Sequence, residues 1–222
     1  MIPHKIHYFW FGKNKSDLVK RCIDSWHCLQ PEFEIQEWNE SNYDVQHLSY
    51  TKRVYNSGVY GLAVCQARFD ILYQHGGIYL DTDVEVITQD VNAWKSLLNN
   101  QSLIFGYETN PRFNKHRRVG AGFIASEPKH PFMQTVVNTY ENLNRRFATA
   151  PKLLTDMLVL SKPPSDSLIL PHNIFSPMTW EEFSNIEQCN HNKIDPSKYI
   201  TSETLAFHWY QSSWHGKTKQ IR

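Results

Sequence analysis

The sequence predicts an α/β fold built on a doubly wound sheet with helices on both faces, and three observations carry that expectation. Residues 1–38 alternate strand-like, helix-like and strand-like patterns. The dipeptide Gly76-Gly77 ends a helical stripe and leads at once into a short apolar run, Ile78-Tyr79-Leu80. Further strand-like and helix-like stretches follow up to residue 160. Alternation of this kind is how a sheet with helical crossovers reads in sequence.

Taken in order, residues 5–10 are an aromatic and β-branched run suited to a buried strand, closed by Gly12. Ser16 is an N-cap for a helix in which Leu18, Cys22, Ile23 and Trp26 recur at helical spacing, and Pro31 stops it. Residues 34–38 alternate as a second strand. Leu62, Cys65, Phe69 and Leu72 then share one helical stripe. Past the glycine stop, Ile78, Leu80, Val84 and Val86 keep a period of two through Asp81-Thr82-Asp83. Both aspartates therefore fall in a register that apolar residues do not occupy. Residues 103–107 and 121–125 read as strands, and 131–147 and 151–160 as helices opened by an early proline. From Lys162 onward the chain is rich in Pro, Asn and Ser, with a short strand at 168–170 and a closing aromatic group, Phe207, His208, Trp209, Tyr210 and Trp214.

The 222 residues fit one domain, a core of 1–160 completed by a segment 161–222. A hydrophobic share of 41% against 20% charged residues reads as globular rather than disordered. With 23 basic and 22 acidic residues the net charge is +1, so no global field holds a nucleic-acid backbone, and no nucleic-acid partner is expected. Two local basic groups, Lys115-His116-Arg117-Arg118 and the tail with Lys217, Lys219 and Arg222, read first as solvated surface. The alternative is attraction to an anionic bilayer or a phosphorylated lipid. Cys22, Cys28, Cys65 and Cys189 show neither a CxxC pair nor zinc spacing, which reads as reduced thiols. The opening Met1-Ile2-Pro3-His4-Lys5 lacks a signal-peptide pattern and no apolar run reaches a membrane span. A cytoplasmic protein is expected, peripheral at most at the inner face of the membrane.

Asp81 and Asp83 carry the chemistry. Side chains two apart on an extended segment point the same way, so the pair converges on one cation. Mg²⁺ is commonly held by one or two carboxylates, with substrate phosphates and water completing its shell. Two acids separated by one residue are frequent by chance, usually in solvated turns. The glycine stop and the buried run before them make this pair more specific.

The stretch Ala67-Arg68-Phe69-Asp70-Ile71-Leu72-Tyr73-Gln74-His75-Gly76-Gly77-Ile78-Tyr79-Leu80-Asp81-Thr82-Asp83-Val84 resembles the DxD-containing sugar transferases of glycosyltransferase family 32. Bacterial capsule and O-antigen transferases and the yeast initiating mannosyltransferase belong there, and the glucosylating clostridial toxins look like more distant relatives. The opening from Ile2 to Gly12, the run Leu170-Pro171-His172-Asn173-Ile174-Phe175-Ser176-Pro177 and the closing His208-Trp209-Tyr210-Gln211-Ser212-Ser213-Trp214 resemble other segments of that family. The resemblance implies a GT-A fold, a Rossmann-like nucleotide-binding sheet, and retaining transfer of a sugar from a UDP- or GDP-sugar. The acceptor it implies is a glycan or lipid-linked saccharide in polysaccharide biosynthesis, and the cofactor is divalent Mn²⁺ or Mg²⁺. Phe9 and Trp10 would meet the donor, Trp10 against its base, and Arg68 would face the diphosphate or the sugar. Asp81 and Asp83 would hold the metal with His208, while Ser213 and Trp214 would approach the phosphates and close over the leaving group.

One departure from the family pattern stands out. The position three before the arginine is usually acidic and contacts the donor sugar; here it is Cys65, and a thiol cannot accept two hydroxyls as a carboxylate does. Either Gln66 or Asp70 takes over that donor-binding role, or donor choice is altered, or transfer is weak. Ala150-Pro151 also stands where a Gly-Pro pair is common. Two other readings remain: a non-catalytic nucleotide-sugar-binding homologue, and a phosphatase of the haloacid dehalogenase type, which needs a downstream lysine and a second acidic pair that do not follow in order here.

Overall fold

β1 (Lys5–Phe9) and β2 (Glu34–Trp38) lie side by side in parallel, joined by α1 (Asp17–Trp26). The computed structural model describes residues 1–12, 14–109, 117–143, 147–161, 163–186 and 190–211. Ser16 caps α1 by accepting from the Val19 amide, and α1 buries Val19, Cys22, Ile23 and Trp26, the stripe read from sequence save for Leu18. β3 (Gly77–Leu80) pairs in parallel with β1 and antiparallel with β6 (Val119–Ser126). β5 (Leu103–Tyr107) runs antiparallel to β6 and parallel to β7 (Ser167–Leu170). The sheet order is β2-β1-β3-β6-β5-β7, so one reversed strand sits in an otherwise parallel sheet.

Apolar residues divide between the two faces. Ile78 and Leu80 of β3 join a cluster with Ile6, Tyr8, Trp26 and Trp94, while Tyr79 turns to a second cluster with Phe9, Phe69, Val136 and Tyr140. Each such side chain contributes about 1.5–3 kcal/mol when removed from water. The helix read as a single stripe is α3 (Tyr60–His75), and it is buried continuously from Leu62 to Leu72. It lies between α2 (Ser49–Asn56), α5 (Pro131–Glu141) and the sheet, so its polar residues Gln66, Arg68 and Asp70 must find partners inside.

At the end of α3 the chain turns through Gly76 (φ 63°) and Gly77 (φ 95°). A Cβ on Gly77 would stand 2.5 Å from the Lys5 carbonyl oxygen, so only glycine fits between β1 and β3. Beside it, His7 Nε2 donates to the Gly76 carbonyl (2.9 Å) and His7 Nδ1 accepts from the Trp38 indole (3.0 Å). That pairing uses both nitrogens of a neutral ring, and burial pulls its pKa down to about 4. The turn delivering β3 to the sheet is thereby tied to β1 and β2.

Three expectations change. The period of two does not continue through the aspartates: the Val84 amide donates to the Asp81 carbonyl (3.0 Å), a tight turn, and β4 (Val84–Val86) leaves the main sheet. It pairs antiparallel with β8 (Ala206–His208), which sequence had not marked as a strand. The helix expected over 131–147 ends at Glu141, where Asn142 closes it. Finally, α2 and α4 (Val91–Leu98) were unread; α4 is announced by Asp90, which accepts from the Asn92 amide (2.9 Å). α6 (Ala150–Leu158) and the short α7 (Trp180–Ser184), the latter with a Thr179–Glu182 capping box, complete the helices used below. Among the described residues no helix is long and apolar enough to cross a membrane.

Candidate active site

The carboxyl ends of β1 and β3 open on the same edge of the sheet, where ligands of open α/β sheets bind. Asp81 follows β3 directly, its amide fixed to the Gly122 carbonyl of β6 (2.9 Å). Its Oδ1 accepts from the Tyr79 hydroxyl (2.9 Å) and meets Arg68 Nη1 at 3.0 Å. Arg68 is itself wedged between α3 and β6: Nη1 donates to the Ala121 carbonyl (2.6 Å), Nε to the Val64 carbonyl (3.3 Å), and the guanidinium lies 4.6 Å over the Tyr79 ring. Burial opposes the charge on Arg68, but Asp81, together with smaller contributions from Tyr79, Cys65 and Tyr140, holds its pKa above the ordinary value.

Asp83 is held from another direction. The pairing of β4 with β8 sets Val84 opposite His208, and the Trp209 amide donates to the Asp83 carbonyl (2.9 Å). Asp83 Oδ2 accepts from the Gln211 amide (2.7 Å), and Oδ1 lies 3.3 Å from His208 Nε2. Burial alone would raise the Asp83 pKa; the His208 charge and these hydrogen bonds hold it below the usual carboxylate value. Burial alone would likewise lower that of His208, yet Asp83 and then Asp81 and Glu108 hold it above its ordinary value. Asp81, Asp83 and His208 each offer one ligand atom, and the three atoms lie within 4.8 Å of one another. Two carboxylate oxygens and an imidazole nitrogen suit a divalent cation.

Two cavities meet at this group. The smaller, about 320 Å³, is lined by Phe9, Trp10, Asn14 and Tyr60 among others. The larger, about 590 Å³, reaches Cys65, Glu108, Arg118 and Trp180. Gly61, Arg68, Asp81 and Asp83 belong to both walls. The expected site residues Phe9, Trp10, Arg68, Asp81, Asp83 and His208 thus converge on connected space.

Asp70 does not join them. Two residues beyond Arg68 on a helix, it faces the opposite way and accepts from Tyr43 (3.1 Å), His47 (2.9 Å) and Gln74 (2.9 Å). Gln66 cannot take its place, being bonded to Thr51 (2.9 Å) and the Val137 carbonyl (3.2 Å). Cys65 lines the larger cavity, not the smaller, and burial pushes its thiol pKa up. Ser213 and Trp214 lie outside the described residues. Sequence reasoning missed Tyr79, although its place two before Asp81 on one strand was a usable signal, and missed Gln211, whose contribution is a backbone amide that no side-chain pattern marks.

A mixed sheet that presents a DxD turn at its carboxyl edge, beside a cavity walled by the first strand, defines the GT-A class of glycosyltransferase fold. The chain matches, over residues 16–102, the family described as "Glycosyltransferase sugar-binding region containing DXD motif". It is 23% identical over 161 residues to inositol phosphoceramide mannosyltransferase 1 of Schizosaccharomyces pombe, covering 67% of this chain and 46% of the relative, so it spans about half that relative's length. Among solved structures, PaToxG glycosyltransferase superposes with a TM-score of 0.53 at 19% identity, over 72% of this chain and 69% of the other. A glycosyltransferase involved in glycosylation of the major capsid of PBCV-1 superposes with a TM-score of 0.52 at 10% identity, over 98% and 96%. These two likenesses concern the fold.

Proposed function

We propose that this protein transfers a sugar, with retention, from a UDP- or GDP-sugar to a glycan or lipid-linked saccharide, assisted by Mn²⁺ or Mg²⁺ held by Asp81, Asp83 and His208. The observation that carries the reading is the cluster of three ligand atoms within 4.8 Å on the wall shared by two cavities. The smaller cavity takes the nucleotide, with Phe9 and Trp10 toward the base. Its diphosphate reaches Arg68, whose planar fork suits phosphate oxygens. When bound, the cation supplies Lewis-acid stabilisation of charge gathering on the departing diphosphate. Arg68 adds a fixed positive charge there, already oriented by Ala121 and Tyr79. His208 releases its proton on ligation, so cation affinity falls as pH drops. Burial pushes the Cys65 pKa up, so its thiol is not activated as a thiolate.

The test is Asp83→Ala, assayed by nucleoside diphosphate release from UDP- and GDP-sugars with Mn²⁺. Metal stabilisation of several kcal/mol corresponds to a loss of about 1,000-fold. The variant should still unfold cooperatively, at a lower thermal midpoint because His208 and the Gln211 amide lose their partner, and calorimetric Mn²⁺ binding should disappear. A variant that keeps near-parental release and Mn²⁺ affinity would overturn the reading.

A further inference from the structure

The larger cavity has a lining that speaks to what enters it. Of its five cationic side chains four are already matched to acids: Arg68 to Asp81 (3.0 Å), His208 to Asp83 (3.3 Å), Lys152 to Asp156 (2.8 Å), and Arg118 to the buried Glu108. The fifth, Arg117, lies over the Tyr107 ring. In the metal-free protein five acids, the four just named and Glu181, balance the five cations; a bound divalent ion, with His208 neutral, adds one net positive charge, which the donor diphosphate takes up. Such a lining offers no net attraction to a phosphate or a carboxylate. Paired ionic groups do offer a donor and an acceptor side by side, which is what a sugar hydroxyl satisfies, being both at once.

Trp180 supplies the apolar part. It opens α7, is half-buried, is propped by Phe183 and Tyr210 at ring separations of 5.7 and 5.6 Å, and carries the Arg118 guanidinium 5.9 Å over its ring, which sets the Glu108–Arg118 pair beside it. An aromatic wall with a few converging polar groups is the usual construction of a small-molecule site. The cavity exceeds the smaller one in volume and shares with it the wall bearing Arg68, Asp81 and Asp83. A ligand there would face whatever is held at the carboxylates from the side opposite Trp10.

We propose that the larger cavity is the acceptor site and that it takes a neutral sugar ring, seated against Trp180 with a hydroxyl received by the Glu108–Arg118 pair. This rests on the transferase reading above, and the experiment separates the two. Wild type, Trp180→Ala, Trp180→Leu and Trp180→Phe are given donor and Mn²⁺ and titrated with methyl α- and β-glycosides of glucose, galactose and mannose. The corresponding 6-phosphates are titrated in parallel, and nucleoside diphosphate release is read throughout. At least one neutral glycoside should accelerate release over the water background. Trp180→Ala and Trp180→Leu should raise its half-saturating concentration tenfold or more, Trp180→Phe less than threefold, while the half-saturating donor concentration moves less than twofold. Trp180→Leu keeps apolar packing without an aromatic face, so it decides the matter where Trp180→Ala fails to fold. Preference for a 6-phosphate by tenfold, unchanged glycoside saturation in Trp180→Leu, or donor hydrolysis that no neutral glycoside accelerates would each overturn the assignment alone. Absence of donor hydrolysis in wild type would remove the transferase reading, and the acceptor assignment with it.

Discussion

Asp81 and Asp83 stand two residues apart yet are held by different regions of the molecule. Asp81 follows directly on the main sheet, where Tyr79, Arg68 and the Gly122 carbonyl fix it at the end of β3. Asp83 belongs to the ribbon of β4 and β8, where it is held by His208 and the amide of Gln211, 128 positions along the chain. Damage to the first region should therefore cost the fold, and damage to the second should cost cation binding first. Four measurements separate those outcomes.

The largest effect is expected for Arg68→Met, which leaves Asp81 and the Ala121 carbonyl without their cation. Breaking a buried pair costs about 3–5 kcal/mol, and Asp81 is 26% exposed, so about 3 kcal/mol is expected in urea unfolding. A loss below about 1 kcal/mol would mean that Arg68 serves only the ligand.

Acid should act on the same region through His7. Its pKa is lowered from 6.5 to about 4, so the unfolded chain binds the proton first as pH falls. Stability is full above pH 6.5 and drains away as pH drops toward 4, by up to about 3 kcal/mol at 1.36 kcal/mol per unit. Urea midpoints at pH 7 and 4.5 measure this. His7→Gln should show a smaller acid-dependent drop, and an equal drop would acquit His7.

On the ribbon side, His208→Ala should weaken Mn²⁺ binding by about 10–100-fold, or about 1.4–2.7 kcal/mol, while urea unfolding shifts less. Calorimetry showing unchanged Mn²⁺ affinity would remove His208 from the ligand set. The smallest effect is at the seam. Ser16 caps α1 and also accepts from the Gln211 side chain (2.8 Å), so Ser16→Ala should lower stability by about 1 kcal/mol in thermal unfolding. No change there would indicate that the cap is replaced by solvent.

The same division explains what was readable in the sequence. Strands β1, β2, β5 and β7 and the start of α1 follow from local period and punctuation, because each element's burial is set by its own residues. In α3 the stripe understated burial, since three elements enclose it and even Arg68 is 5% exposed. Asp81 and Asp83 were recognised for an incomplete reason: they converge through a turn, not through strand register. β8 was invisible because Ala206-Phe207-His208 is too short to show a period, and its partner lies far upstream. Asp70 was misplaced because a carboxylate near the motif reads alike on either side of a helix until its partners Tyr43 and His47 are known.

The amide of Gln211 that caps Asp83 has a consequence for the order in which the protein becomes competent. On the ribosome, all six strands of the main sheet have been synthesised once Leu170 is made, whereas β8 and Gln211 arrive later. A nascent chain can thus pair the strands of its main sheet while Gln211, which holds Asp83, is still missing. On the function proposed above, turnover would begin only when the last ribbon pairs, so synthesis itself would set a delay between folding of the sheet and activity.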